Sequence, residues 1–441
     1  VAILSKDEAQ TILKKVLSFS TADECTVYLN GRTNGNVRYA RNNVSTSGTT
    51  DNVSLAVESR FGKRSGTATC NQFDDATLRR CVQRAEEIAK LAPEDPEYMP
   101  LLGPQQYLTP VSAVASTASI SPDFRAQAAA DSIALCQVRK LTAAGYLEDG
   151  SNFQAMRNSK GLEAYQQSTR LDFSVTVRTA DGTGSGYAVA DFTDSSKFNA
   201  KALTQIAADK AAGSVNAKAM EPGKYTVILE PAALVSDEGL LNRLMYALDA
   251  READEGRSFL SKKGGGNKLG QKLFDERVTI YSDPLNPEAP GNIFDGDGLP
   301  VKRMNWIEKG VMKNLYYSRF WAQKSNAQAT AFPSNFIMTG GTQSTQDLIK
   351  STAKGILVTR LWYIRDVDPQ TLLVTGLTRD GTFYIENGKI KHPVKNFRFN
   401  ESPVIMLNNI EAIGKPVRLG GNLVPPLKIR DFTFTSLSDA V

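Results

Sequence analysis

The chain has 441 residues, 41% hydrophobic and 22% charged, a composition that supports a sizeable core and, as a prior, two or three domains. Lys+Arg 52 against Asp+Glu 47 leaves a net charge of +5, with the basic residues dispersed, which disfavours a nucleic-acid footprint because that needs a concentrated basic face. No run of roughly 18 apolar residues exists to span a membrane.

The segment Val1-Ala2-Ile3-Leu4 is too short for a signal core, which makes a cytoplasmic protein the default expectation. The first residue is not Met, so the sequence leaves room for a removed upstream piece. Ser5 and Glu8 form a capping box, and Ala9, Ile12, Leu13, Val16 and Leu17 follow at helical spacing. Strand-like segments come next: Cys25 to Leu29, Asn36 to Val44, and Val53 to Val57. A second helix starts after Asp74-Asp75, with Leu78, Cys81, Val82, Ala85, Ile88 and Ala89 on one face, and stops before Pro93. Residues 1–100 therefore form an α+β domain, and the Pro- and Ser-rich residues 101–120 a linker.

Ser121-Pro122-Asp123 opens a helix predicted to run through Lys140, since proline suits the first helical turn. Strands over Leu162 to Val177 and Gly186 to Val189, then a helix over Lys201 to Ala212, give residues 121–220 as a middle α+β domain. Residues 221–441 are strand-rich. Tyr225 to Leu229 is a strand, and Pro231 to Arg251 is predicted as one apolar helix. Turn chemistry predicts hairpins at Glu308-Lys309-Gly310, Asp380-Gly381 and Asn387-Gly388.

Candidate chemistry is sparse. Cys25, Cys70, Cys81 and Cys136 fit neither a redox pair nor a zinc ribbon and are expected to be reduced core thiols. The lone histidine, His392, stands beside Pro393 after a hairpin turn and is expected to be an exposed bystander. One imidazole cannot supply the two that a zincin helix needs. The carboxylates Asp249, Glu252, Asp254 and Glu255 are expected to mark a charged helix end, and Asp295 with Asp297 a turn. The loop Lys262 to Lys268, with Gly264, Gly265 and Gly266, lacks a phosphate-loop ending and is a weak candidate for substrate contact beside a cleft.

Taken in order, Arg38-Tyr39-Ala40-Arg41-Asn42-Asn43-Val44, Val53 to Gly66, Leu248 with Gly256-Arg257-Ser258-Phe259-Leu260-Ser261, Gly298 through Asn314, and Tyr384 to Ile390 with Pro393-Val394 resemble the TldD/PmbA family from about residue 38 to the end. The resemblance implies a C-terminal mainly antiparallel, barrel-like β domain after the α+β domains. It also implies a cytoplasmic heterodimer that cleaves peptides. In the family's catalytic subunit, TldD, an HExxxH helix and a late cysteine hold zinc. By ungapped counting, the histidine, glutamate and histidine positions fall on Leu241, Asn242 and Tyr246, and no cysteine lies beyond Cys136. The chain is therefore similar to the TldE subunit. It is expected to have no metal or cofactor of its own, to be inactive alone, and to pair with a zinc-holding TldD-like subunit or with itself around a peptide. An older family label, modulator of DNA gyrase, implies the alternative of a non-proteolytic binding protein. A standalone hydrolase is the third reading, without a nucleophile and base to name.

Overall fold

In the computed structural model, residues 2–236 and 239–438 are described. The first helix, Lys6–Leu17, is capped as predicted, with Ser5 and Glu8 bonding reciprocally. Three antiparallel strands follow: β1 (Glu24–Ala40), β2 (Asn43–Phe61) and β3 (Arg64–Cys70). The predicted strand over Asn36 to Val44 is instead a hairpin. Arg41 and Asn42 both take positive φ (52° and 58°) and reverse the chain between β1 and β2. The Asp75–Leu91 helix, capped by Asp74 accepting from Thr77 N at 2.9 Å, then covers the sheet.

After the Pro122–Val138 helix come β4 (Leu141–Asn158), β5 (Glu163–Thr179) and β6 (Ser185–Phe192), then the Ala200–Gly213 helix. The sequence offered no strand over Leu141–Asn158. This segment is the seam of the molecule: β1 pairs with β4 from Thr26↔Asn158 to Tyr39↔Gly145, so one six-stranded sheet, β3-β2-β1-β4-β5-β6, runs through both α+β regions. Period-two alternation then sorts the side chains. Val27, Leu29, Leu55 and Val57 bury against Leu13, Val16, Leu78 and Val82. Leu147, Phe173, Val175 and Val177 bury against Ala128, Ala129, Ala207 and Ala208. The interleaved residues (Asn30, Arg32, Asn152, Gln154, Ser168, Arg170) point to the opposite, polar face.

The C-terminal half is a different construction. Strand β7 (Gly223–Leu229) pairs with Lys354–Asp368, which pairs with Leu373–Glu386, then Phe397–Glu401, then Leu427–Leu437, which returns to β7. These five strands close into a barrel, so the mixed α+β class with a mainly antiparallel, barrel-like C-terminal region holds. Closure gives every one of the five strands a neighbour on both sides over part of its length. Phe397, Phe399, Phe432 and Phe434 pack together, with ring centroids 4.5–5.6 Å apart.

Two predictions fail here. Pro231 to Arg251 is not one helix but three short ones, Pro231–Val235, Leu240–Tyr246 and Ala250–Asp254. A Cβ on Gly239 would lie 2.4 Å from the Leu234 backbone, a close turn-back that a continuous helix excludes. Nor is Asp380-Gly381 a hairpin turn. It kinks the Leu373–Glu386 strand, with φ of 54° and 121°, where the pairing register slips opposite Val358 and Arg360. The hairpins at Lys309-Gly310 and Asn387-Gly388 form as predicted.

Candidate functional site

The uncovered polar face of the sheet is the floor of a groove of about 700 Å³, roofed on one side by Gly291, Asn292, Ser334, Arg418, Gly420 and Gly421 of the C-terminal half. Both hydrogen bonds and apolar packing hold this roof, the latter where Ile293 and Phe294 bury against Met156, Leu162 and Ala164. Arg418 Nε donates to Asp191 Oδ2 at 2.8 Å, and its Nη1 donates to Thr193 Oγ1 at 2.7 Å and the Glu288 carbonyl at 2.5 Å. Ile293 N donates to Gln166 Oε1 at 2.9 Å, while Asn292 and Ser334 exchange two bonds of 2.7 Å. Along the floor, Glu148, Asp172 and Asp191 stand directly opposite one another on β4, β5 and β6. Burial pushes the Asp172 carboxyl up to about 6; Arg170 opposes the shift and Asp191 adds to it.

At one end the groove meets the Leu240–Tyr246 helix. Leu241 is fully buried in the core. Asn242 Nδ2 donates to the Val235 carbonyl at 2.7 Å, tying the Leu240–Tyr246 helix to the end of the Pro231–Val235 helix. Tyr246 is 66% exposed, its ring stacked on Phe332 at 5.9 Å. These side chains do not fit zinc: an alkyl group has no donor atom, a neutral amide engaged with a backbone carbonyl is no base, and a phenol ligates only once deprotonated. Among the described residues no group of three or more His, Cys, Asp or Glu stands together as a metal site.

The carboxylates weighed from sequence serve local structure. Asp249 caps a helix through Glu252 N at 2.9 Å, Asp254 accepts from Asn267 Nδ2 and Trp321 Nε1, and Glu255 pairs with Arg251 and Arg257. Asp295 accepts from the backbone of Asp297 and Leu299 in a turn. Gly264, Gly265 and Gly266 form an exposed turn, each with positive φ, and none of them lines the groove. His392 is half-buried rather than exposed: it stacks on Tyr384 at 5.2 Å, with Nδ1 3.1 Å from the Pro393 carbonyl. The four cysteines are free thiols; Cys25, Cys81 and Cys136 are buried and Cys70 is half-buried.

Comparison with known families matches the PmbA/TldA metallopeptidase domain 1 to residues 25–89, its central domain to 118–215 and its C-terminal domain to 222–436. The chain belongs to the PmbA/TldD family. It is 23% identical to the metalloprotease PmbA of Escherichia coli O157:H7 over 391 residues, covering 83% of each chain. Its fold matches the crystal structure of TldE from Thermococcus kodakarensis with a TM-score of 0.85 at 18% identity, over 97% of this chain and 99% of that one. A proposed modulator of a DNA gyrase from Thermotoga maritima matches equally, with a TM-score of 0.85 at 16% identity over 97% and 100%. No described helix of this PmbA/TldD chain is long and apolar enough to cross a membrane.

Reasoning from the sequence of this family member missed the groove. Its floor is drawn from β1, β2, β4 and β5, which contribute Asn, Gln, Ser and Arg residues, and from β6, which contributes Asp191. The available clue was alternation: Gln154 and Asn152 interleave with Ala155 and Phe153, the pattern of a half-buried strand in a segment to which no element was assigned.

Proposed function

We propose that this chain is the metal-free, TldE-like subunit of a TldD/TldE-type zinc metallopeptidase, working in the cytoplasm beside a TldD-like partner that holds the zinc. The observation that carries this is the fate of the metalloprotease helix: Leu241, Asn242 and Tyr246 are committed to core packing, a hydrogen bond to the preceding helix and ring stacking. The scaffold persists while the chemistry is gone. The subunit's contribution is assembly and one wall of a peptide-binding groove. An extended peptide carries unpaired N–H and C=O groups along its whole length, and these need partners when removed from water. A floor of Asn, Gln and Ser amides and hydroxyls supplies such partners without demanding a particular side chain.

Co-expression with a TldD-like subunit, followed by mass measurement, metal analysis and a peptidase assay, tests the proposal. A complex with zinc in the partner, and no cleavage by this chain alone, is expected. A second copy of this chain in place of the partner would show in the same mass measurement. Stoichiometric zinc and unaided peptide cleavage by the isolated chain would falsify the proposal.

A further inference from the structure

We infer that a pocket against the Leu240–Tyr246 helix takes one apolar side chain, of the size of Leu, Met or Phe, from an extended peptide whose main chain lies in the polar groove; this deepens the groove reading above and rests on it. The pocket encloses about 130 Å³ between Met245, Tyr246, Leu248, Trp306, Phe332 and Phe336. A dry apolar cavity of roughly 150 Å³ holds a benzene ring, so the space suits one side chain and no more.

Among the described residues its lining carries no charged residue, and several of its polar groups are engaged elsewhere. Trp306 Nε1 already donates to Ser282 Oγ at 3.2 Å, and Asn242 Nδ2 to the Val235 carbonyl at 2.7 Å. Asn335 Nδ2 donates to the Asp283 and Ala289 carbonyls at 2.8 and 2.6 Å, and Asn422 Nδ2 to the Gly420 carbonyl at 3.0 Å. A charged side chain entering here loses water and finds no counter-charge among the described lining residues. Tyr246 and Phe332 have nearly parallel rings (5°), and Tyr316 meets Phe332 edge-on at 5.3 Å. Phe332 is 36% exposed beside the more exposed Tyr246, so two large ring surfaces face water until something covers them.

Continuity with the groove selects the occupant. Ser334 and Gly420 line both spaces, and Phe332 also lines an adjoining recess with Asn30, Gln154 and Asn292. A peptide lying on the polar floor therefore passes the pocket.

The test uses the full chain and fluorescent octapeptides of Ser, Asn, Gln and Gly carrying Phe, Leu, Ala or Lys at one position, with affinities from anisotropy. The Phe and Leu peptides are expected to bind roughly tenfold tighter than the Ala peptide, with Lys no better than Ala. Tyr246→Ala and Phe332→Ala, separately, should cut that ratio to about threefold or less, as part of the ring surface is lost. Equal binding of all four peptides overturns the pocket and leaves the groove standing. A preference that survives both substitutions places the apolar site elsewhere and also overturns the pocket. Binding of no peptide removes the groove and the pocket together.

Discussion

The six-stranded sheet and the five-stranded barrel solve the same problem with opposite consequences. Both must satisfy their backbone groups and bury an apolar face. The barrel closes on itself through five strands, with a cluster of aromatic rings buried in its half of the molecule. The sheet's second face is covered only in part, by the C-terminal half, and β3 pairs with β2 just from Leu55 to Phe61, so much of the polar face and part of an edge stay open. A closed layer stabilises; a half-covered one has surface to lend to a ligand. The groove accordingly lies on the sheet, and the barrel half contributes only its roof.

The sharpest way to break this contrast is to remove matched side chains from the two layers. Phe399→Ala, in the fully buried ring cluster, is expected to cost about 3–5 kcal/mol in urea unfolding, while Asn152→Ala on the groove floor stays within about 0.5 kcal/mol. Equal losses would mean that the floor is part of the core and no binding surface. The short helix allows the same comparison within one element. Leu241→Ala should destabilise by about 3 kcal/mol, and exposed Tyr246→Ala by less than about 0.5. If Leu241→Ala proves neutral, that position is not held by the core, and the structural account of its lost chemistry fails.

Arg418→Ala leaves the buried Asp191 carboxylate at the junction of the layers without its ion-pair partner, with the Gly421 N–H still donating to it at 3.2 Å. The expected loss is about 2 kcal/mol, below the 3–5 of a fully buried pair because Arg418 keeps some solvent access. Limited proteolysis should show the roof loosening before the barrel. The smallest effect concerns pH. Asp172 titrates at about 6 in the folded chain against an ordinary 3.8, so folding favours its protonated form. Its stabilising contribution is complete below pH 3.8 and is lost as pH rises through 6. Urea midpoints between pH 4 and 7 should therefore fall less steeply in Asp172→Asn than in the parent; an unchanged slope would remove Asp172 as the cause.

Several features were legible because short-range chemistry sets them. The Ser5–Glu8 capping box, the Asp74 and Ser121 caps and the Lys309-Gly310 and Asn387-Gly388 turns each form from residues within a few positions of one another. The expected mismatch between zinc's preferred donors and Leu241, Asn242 and Tyr246 came from the family resemblance, which assigns those positions, and from their residue types. Asp380-Gly381 looked like a turn for the same local reason, yet its neighbours continue the strand and Arg360 pairs with the Asp380 carboxylate at 2.7 Å. Local propensity yielded to the barrel's curvature.

Sequence by itself determined the helix ends, the tight turns, the sorting of apolar from polar residues within most elements, and the kinship with PmbA/TldD proteins. Only tertiary structure decided that β1 lies beside β4, that Pro231–Val235, Leu240–Tyr246 and Ala250–Asp254 are separate helices, and that the Asn, Gln and Ser residues of four strands converge on one groove. Caps and turns are settled by bonds between near neighbours in the chain. Partners such as Thr26 and Asn158, far apart in the sequence, meet only when a whole layer assembles.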